Sequence, residues 1–192
     1  MKTDQPMDEE KYLKQFETEL LKRLEATCQE YGFLEGKLPM GEDIDRQWEV
    51  LAQPYMADAV PEIREYPLVS LAWAMYLGMA VAHGWDTDWE HYSTAPYATY
   101  YGENGFDDMD EHIVRDLLGL PLESEAAQEL EKMVRRCGQL TLSLIRREGI
   151  EPQSPTAFRV YACSVYALYR IGAAMQLYRM GYREVRPLMH EV

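Results

Sequence analysis

Cysteine is scarce in this 192-residue chain: Cys28, Cys137 and Cys163 are far apart and odd in number. Such a set fits neither a disulfide framework nor a zinc site with closely spaced ligand pairs. Each lies at an apolar helical position and reads as a buried free thiol. Basic residues are also few, 19 against 33 acidic, for a net charge of −14. Phosphate-rich surfaces repel so acidic a chain unless a basic face is segregated, which disfavours nucleic acid and anionic membrane as partners. Strict apolar–polar alternation, the mark of a half-buried strand, is absent. Absent too are Gly-x-Ser-x-Gly, a cysteine with a convincing histidine partner, and a phosphate-binding glycine loop. The opening MKTDQPMDEEKY has no apolar core of the kind a secretory signal needs, and no other run looks long enough to anchor the chain. The expected location is therefore the cytoplasm.

What stands out is LVSLAWAMYLGMAVA, Leu68 to Ala82, apolar except for Ser70 and flanked by acidic segments. At about 1.5 Å rise per residue it spans roughly 22 Å, short of the roughly 30 Å of a bilayer core, so a buried helix is expected. Pro67 suits its first turn and Gly84 its end, which predicts a central helix over Leu68–His83. A helix apolar on every side needs other helices or a partner subunit all round it. Ala74, Gly78 and Ala82 recur at four-residue spacing, a row along which another helix could approach closely.

The other segments read as helices by their 3.6-residue apolar period. Pro6–Tyr31 carries Leu13, Phe16, Leu20, Leu24 and Tyr31 on one face and ends at Gly32. A short helix starts near Asp43 or Asp45 and is expected to break or kink around Pro54 and Pro61. Phe106–Leu118 follows, with Asp107, Asp108, Asp110 and Glu111 in its first turns, where the helix dipole favours anions. Glu123–Glu148 has a clear apolar stripe, with Ser124 as its cap and arginines at its end. Ser154-Pro155 opens a last helix to about Arg179, whose inward face is expected to include Phe158, Tyr161 and Val165. Its Gly172, Ala173 and Ala174 could pack against Ala74 and Gly78. The expected fold is all-α: one domain over 1–192, an irregular bundle of about six or seven helices.

Two clusters carry possible chemistry. His83, Asp88 and His91 offer imidazole and carboxylate ligands for a divalent metal such as zinc, iron or manganese, with Asp86, Glu111 and His112 as possible neighbours. Against that, the spacing matches no paired Glu-x-x-His or His-Glu-x-x-His pattern, and Thr87 with Glu90 forms a capping box that explains this turn structurally. The second cluster is the aromatic segment: Trp85, Trp89, Tyr92, Tyr97, Tyr100 and Tyr101, with Asp86 and Asp88 at its rim, would suit a small cationic or aromatic ligand. Its competing role is packing against the central helix.

Charge is divided along the chain. Met1–Glu131 holds 9 basic and 29 acidic residues, net −20, while Lys132–Val192 holds 10 and 4, net +6. The two parts should attract, within a subunit or between subunits. With the all-round apolar helix, this makes a non-enzymatic protein acting through self-association or protein contacts the leading expectation. A metal-dependent enzyme and a small-ligand binding module are its rivals.

Overall fold

The apolar run becomes the axis of the molecule because four neighbours cover it. The computed structural model describes residues 6–183. In order come α1 (Pro6–Glu30), α2 (Glu42–Glu62), α3 (Pro67–Tyr92), a 3-10 turn at Tyr97–Tyr100, α4, α5 (Glu125–Arg147) and α6 (Pro155–Arg179). Helix α4 starts with an α-turn, Met109–Glu111, and continues π-wound through His112–Leu117. The fold is all-α, as expected, and no strand occurs among the described residues. Helices α2, α4, α5 and α6 all pack on α3, and α1 lies across α5 and α6. Ser124 and Ser154 cap α5 and α6 by accepting the amides of Ala127 (3.2 Å) and Ala157 (3.1 Å). Gly149, at φ 62°, supplies the left-handed residue after α5.

The tightest contact is the crossing of α3 and α6, along the small-residue rows that the sequence singles out. A Cβ on Gly172 would sit 2.6 Å from the Met75 Cα, and one on Gly78 would sit 2.9 Å from the Ala173 nitrogen. Backbone meets backbone at both points, so only glycine fits. Ser70, the one polar residue in the apolar run, is fully satisfied. Its hydroxyl meets the Ala59 carbonyl and the Tyr161 hydroxyl, both at 2.6 Å, while its own carbonyl accepts from Tyr55 at 2.8 Å. Ala59 lies in the last turn of α2, so Ser70 also satisfies a carbonyl that the ending helix leaves free.

Several expectations need correction. The central helix does not stop at His83: α3 continues through Gly84 to Tyr92, 26 residues in all. The Tyr92 ring packs over Gly84, where a Cβ would come within 2.7 Å of Tyr92 Cδ2. Gly84 thus makes room for an aromatic ring instead of ending the helix. The length argument against a membrane span therefore fails, since α3 is by length and composition long and apolar enough to cross a bilayer; 72% of its most apolar window is buried inside the fold. Helix α2 is not broken at Pro54. The carbonyl that Pro54 leaves free belongs to Val50, whose side chain is 65% exposed, so that edge of the helix faces water. Phe158 and Tyr31 face outward, at 52% and 47% exposure. Tyr31 carries the Arg136 guanidinium over its ring at 3.6 Å, a use for an exposed aromatic that periodicity does not reveal.

The acidic and basic parts of the chain meet inside the subunit. Glu9 pairs with Arg159, and Arg170 lies 3.6 Å from Asp45 and 3.9 Å from Glu17. Arg183 lies 3.9 Å from Glu35. These contacts fasten α1, α2 and the loop between them to α6 and the residues just after it.

Candidate ligand-binding groove between the third and fifth helices

The residues of the two predicted clusters take up the following surroundings. His83 is partly buried on α3, its Nδ1 enclosed without a hydrogen-bond partner, and burial pulls the imidazole below its ordinary pKa. Asp88 leaves the helical conformation (φ −160°, ψ 72°) and accepts the His91 amide at 3.2 Å, so it kinks α3 and caps the turn that follows. Thr87 does not form the expected capping box; its hydroxyl donates to the His83 carbonyl at 2.8 Å, one turn back. His91 is exposed and meets Tyr92 edge to face. His112 has Nδ1 2.9 Å from Asp116 and Nε2 3.0 Å from the Thr99 carbonyl, which leaves no ring nitrogen free for a metal. Among the described residues no group of three or more His, Cys, Asp or Glu side chains is arranged to hold a metal ion. Asp88→Ala is therefore expected to cost about 1 kcal/mol, the value of a lost helix cap, whether or not zinc is present. Urea titrations with and without zinc check this; a loss seen only with zinc would make Asp88 a ligand.

The aromatic segment divides between packing and surface. Trp85 meets Tyr182 edge to face at 5.4 Å and lines a recess of about 370 Å³ with the Leu38–Gly41 loop. Asp86 accepts the Tyr182 hydroxyl at 2.5 Å. Trp89 packs partly buried against the core, and Tyr100 is fully buried, its hydroxyl without a partner. Tyr101 donates to Asp58 at 2.5 Å; desolvation and this carboxylate together push its phenol up to about 12. Tyr92 covers Gly84. Tyr97 and Tyr101 stand edge to face at 5.1 Å, both under the influence of Asp58, whereas Trp85 lines the recess at the Leu38–Gly41 loop.

Aromatic walls beside carboxylates do occur, but elsewhere. Helix α5 crosses α3 at Gly138, where a Cβ would lie 3.2 Å from the Ala72 Cβ. Beside this contact runs an open groove of about 710 Å³. Leu68, Val69 and Ala72 of α3 and Val134 and Leu142 of α5 make it apolar. Trp73 and Tyr76 form its aromatic wall and are held in place: the indole nitrogen donates to the Phe106 carbonyl at 3.0 Å, and the two rings stand edge to face at 5.5 Å and 87°. The helices run antiparallel here, so the groove has two unlike ends. At one, Asp110 of α4 and Glu131 of α5 lie beside Tyr76; at the other are Glu65, Tyr66 and Arg146.

The acidic end is electrostatically costly. Burial pushes the Asp110 carboxyl up to about 6, the charges of Glu111 and Glu131 add to the rise, and the backbone amides of Asp110 and Glu111 offset it in part. Burial also pushes the Tyr76 phenol up, with Asp110 and Glu131 acting the same way and Arg135 opposing. Glu131 has an exposed ion pair with Arg135 at 2.9 Å. Asp110, Glu111, Glu131 and Tyr76 also line an adjoining recess of about 170 Å³. Of these carboxylates, Glu131 is paired with Arg135, Glu111 feels the charge of Arg115, and Asp110 lies with them in the lining.

None of Trp73, Tyr76, Asp110 and Glu131 is singled out by sequence motifs. One signal was available: Trp73 and Tyr76, at i and i+3, are the two aromatics of the Leu68–Ala82 run, and their polar tips favour a partly open face. Comparison with protein-family models, curated proteins and solved structures returns no match.

Proposed function

We propose that this protein is a binding protein for a small ligand with an elongated apolar body, held in the groove between α3 and α5. The observation that carries this reading is the groove itself: about 710 Å³, apolar, walled by two mutually braced aromatic rings, with a few charged groups at its ends. Small-molecule sites have this character and a volume of roughly 300–1,000 Å³. The bracing supports it further, because a wall fixed in advance loses little freedom when a ligand binds. The expectation of self-association rests on the all-round apolar helix and on attraction between the two charged parts of the chain; within one subunit four helices pack on α3, and the charged parts form pairs.

The test uses the neutral fluorescent probe N-phenyl-1-naphthylamine. Its emission should rise saturably with the wild-type protein, and Leu142→Arg, which puts a charge on a partly exposed wall, should weaken binding about tenfold or more, the effect of roughly 1.4 kcal/mol. Equal binding by Leu142→Arg, or no saturable signal at all, would reject the groove as the site.

A further inference from the structure

The two ends of the groove give a ligand a direction. From Tyr66, just before α3, the lining extends along the helix to Tyr76. Ten residues of helix are roughly 15 Å, long enough for a two-ring or alkyl body laid along the wall. The Tyr76 end presents the carboxylates of Asp110 and Glu131, with Glu111 in the adjoining recess; Arg135 is paired with Glu131, and Arg115 acts on Glu111. Asp110 is half-buried where the other two are exposed, and it has no side-chain ion pair among the described residues. A cation placed there would meet a carboxylate at short range in a partly dehydrated recess, with the rings of Trp73 and Tyr76 in the same lining. Both kinds of contact favour a positive charge over a neutral group of the same shape. An anion would be repelled at this end, and at the other the charge of Arg146 is opposed by that of Glu65 in the same lining.

We infer that the groove selects organic cations, with a primary or quaternary ammonium beside Asp110 and the apolar body lying along Trp73 toward Tyr66. This rests on the groove being a ligand site at all. Asp110 is the specificity-determining residue, Trp73 and Tyr76 are the wall, and Glu131 is the secondary counter-charge.

The test compares three ligands of one shape at pH 7.5: 1-naphthylmethylamine, 1-naphthalenemethanol and 1-naphthaleneacetate, each displacing N-phenyl-1-naphthylamine. The amine should bind about tenfold or more tightly than the alcohol, and the acetate more weakly than the alcohol. In Asp110→Asn, which keeps the shape and removes the charge, the preference for amine over alcohol should fall to about twofold. A cooperative urea transition at pH 7.5 no weaker than the wild type's shows that the variant is folded. Equal binding of amine and alcohol by the wild type would overturn the cation assignment and leave the groove as a neutral apolar site. A preference that survives Asp110→Asn would overturn the role of Asp110. If none of the three displaces the probe, or the probe itself does not bind, the cation assignment falls together with the reading of the groove.

Discussion

Gly172→Ala is expected to destabilise the protein by about 3 kcal/mol or more, and Gly78→Ala by a similar amount, lowering the melting temperature by roughly 10 °C. Two effects of opposite sign compete. Alanine is the better helix former by about 1 kcal/mol, so an open helical glycine gains stability when replaced. Here the added methyl has no space, because the new Cβ would lie 2.6 Å from the Met75 Cα at one site and 2.9 Å from the Ala173 nitrogen at the other. Both are backbone atoms and cannot rotate away, so two long helices would have to separate along a fully buried seam. Gly138 is the internal control: a Cβ there would meet the Ala72 methyl at 3.2 Å, a contact that a shift of a few tenths of an ångström relieves. Gly138→Ala should fall within about 1 kcal/mol of the wild type, since the helix preference offsets the crowding. Urea denaturation of the three variants checks the order. A Gly172→Ala protein as stable as the wild type would contradict the α3–α6 crossing.

Asp110→Asn should stabilise the protein at pH 8, and the gain should shrink toward zero by about pH 4. Burial raises the Asp110 carboxyl to about 6 from an ordinary value of 3.8. The folded protein therefore holds this proton more tightly than the unfolded chain does, and the native state loses stability as the pH climbs from about 4 to about 6. Above that window the buried carboxylate remains charged at a standing cost. The shift corresponds to about 3 kcal/mol, which water on the open side of the groove reduces to about 1–2 kcal/mol. Asparagine does not titrate, so the difference between variant and wild type isolates this group from the other carboxylates of an acidic chain. Paired urea titrations at pH 4.5 and pH 8 measure it. A difference independent of pH, or a variant less stable at pH 8, would show that Asp110 is not held in a poorly solvated recess. Stability gained at the position where cation selectivity is lost is the pattern of a residue retained for binding.

The sequence made the helices legible because a period of 3.6 is locally encoded. The caps at Ser124 and Ser154 and the small-residue rows of α3 and α6 are legible in the sequence alone. Local rules failed where a distant contact outweighed them. Gly84 looked like a stop signal because nothing in the sequence shows that Tyr92 folds back over it. Pro54 looked like a break because the exposure of Val50 is a tertiary fact. The candidate site was the least legible part. Trp85–Tyr101 attracted notice by composition, yet its rings are parcelled out among the core, Asp58 and Tyr182. The groove draws Trp73 and Tyr76 from α3, Asp110 from α4 and Glu131 from α5, residues that only the packing of three helices brings together. Asp110 in particular had a sufficient local explanation at a helix start, and its burial was invisible.

The account stands most directly on where a ligand contacts the chain. Amide chemical-shift mapping of ¹⁵N-labelled protein titrated with 1-naphthylmethylamine locates that contact without relying on any variant. The account predicts saturable shifts concentrated on residues 68–76 of α3, on Asp110 and Glu111, and on residues 131–143 of α5. Shifts centred instead on Trp85–Tyr101 or on the Leu38–Gly41 loop, or no saturable shifts at millimolar ligand, would contradict it.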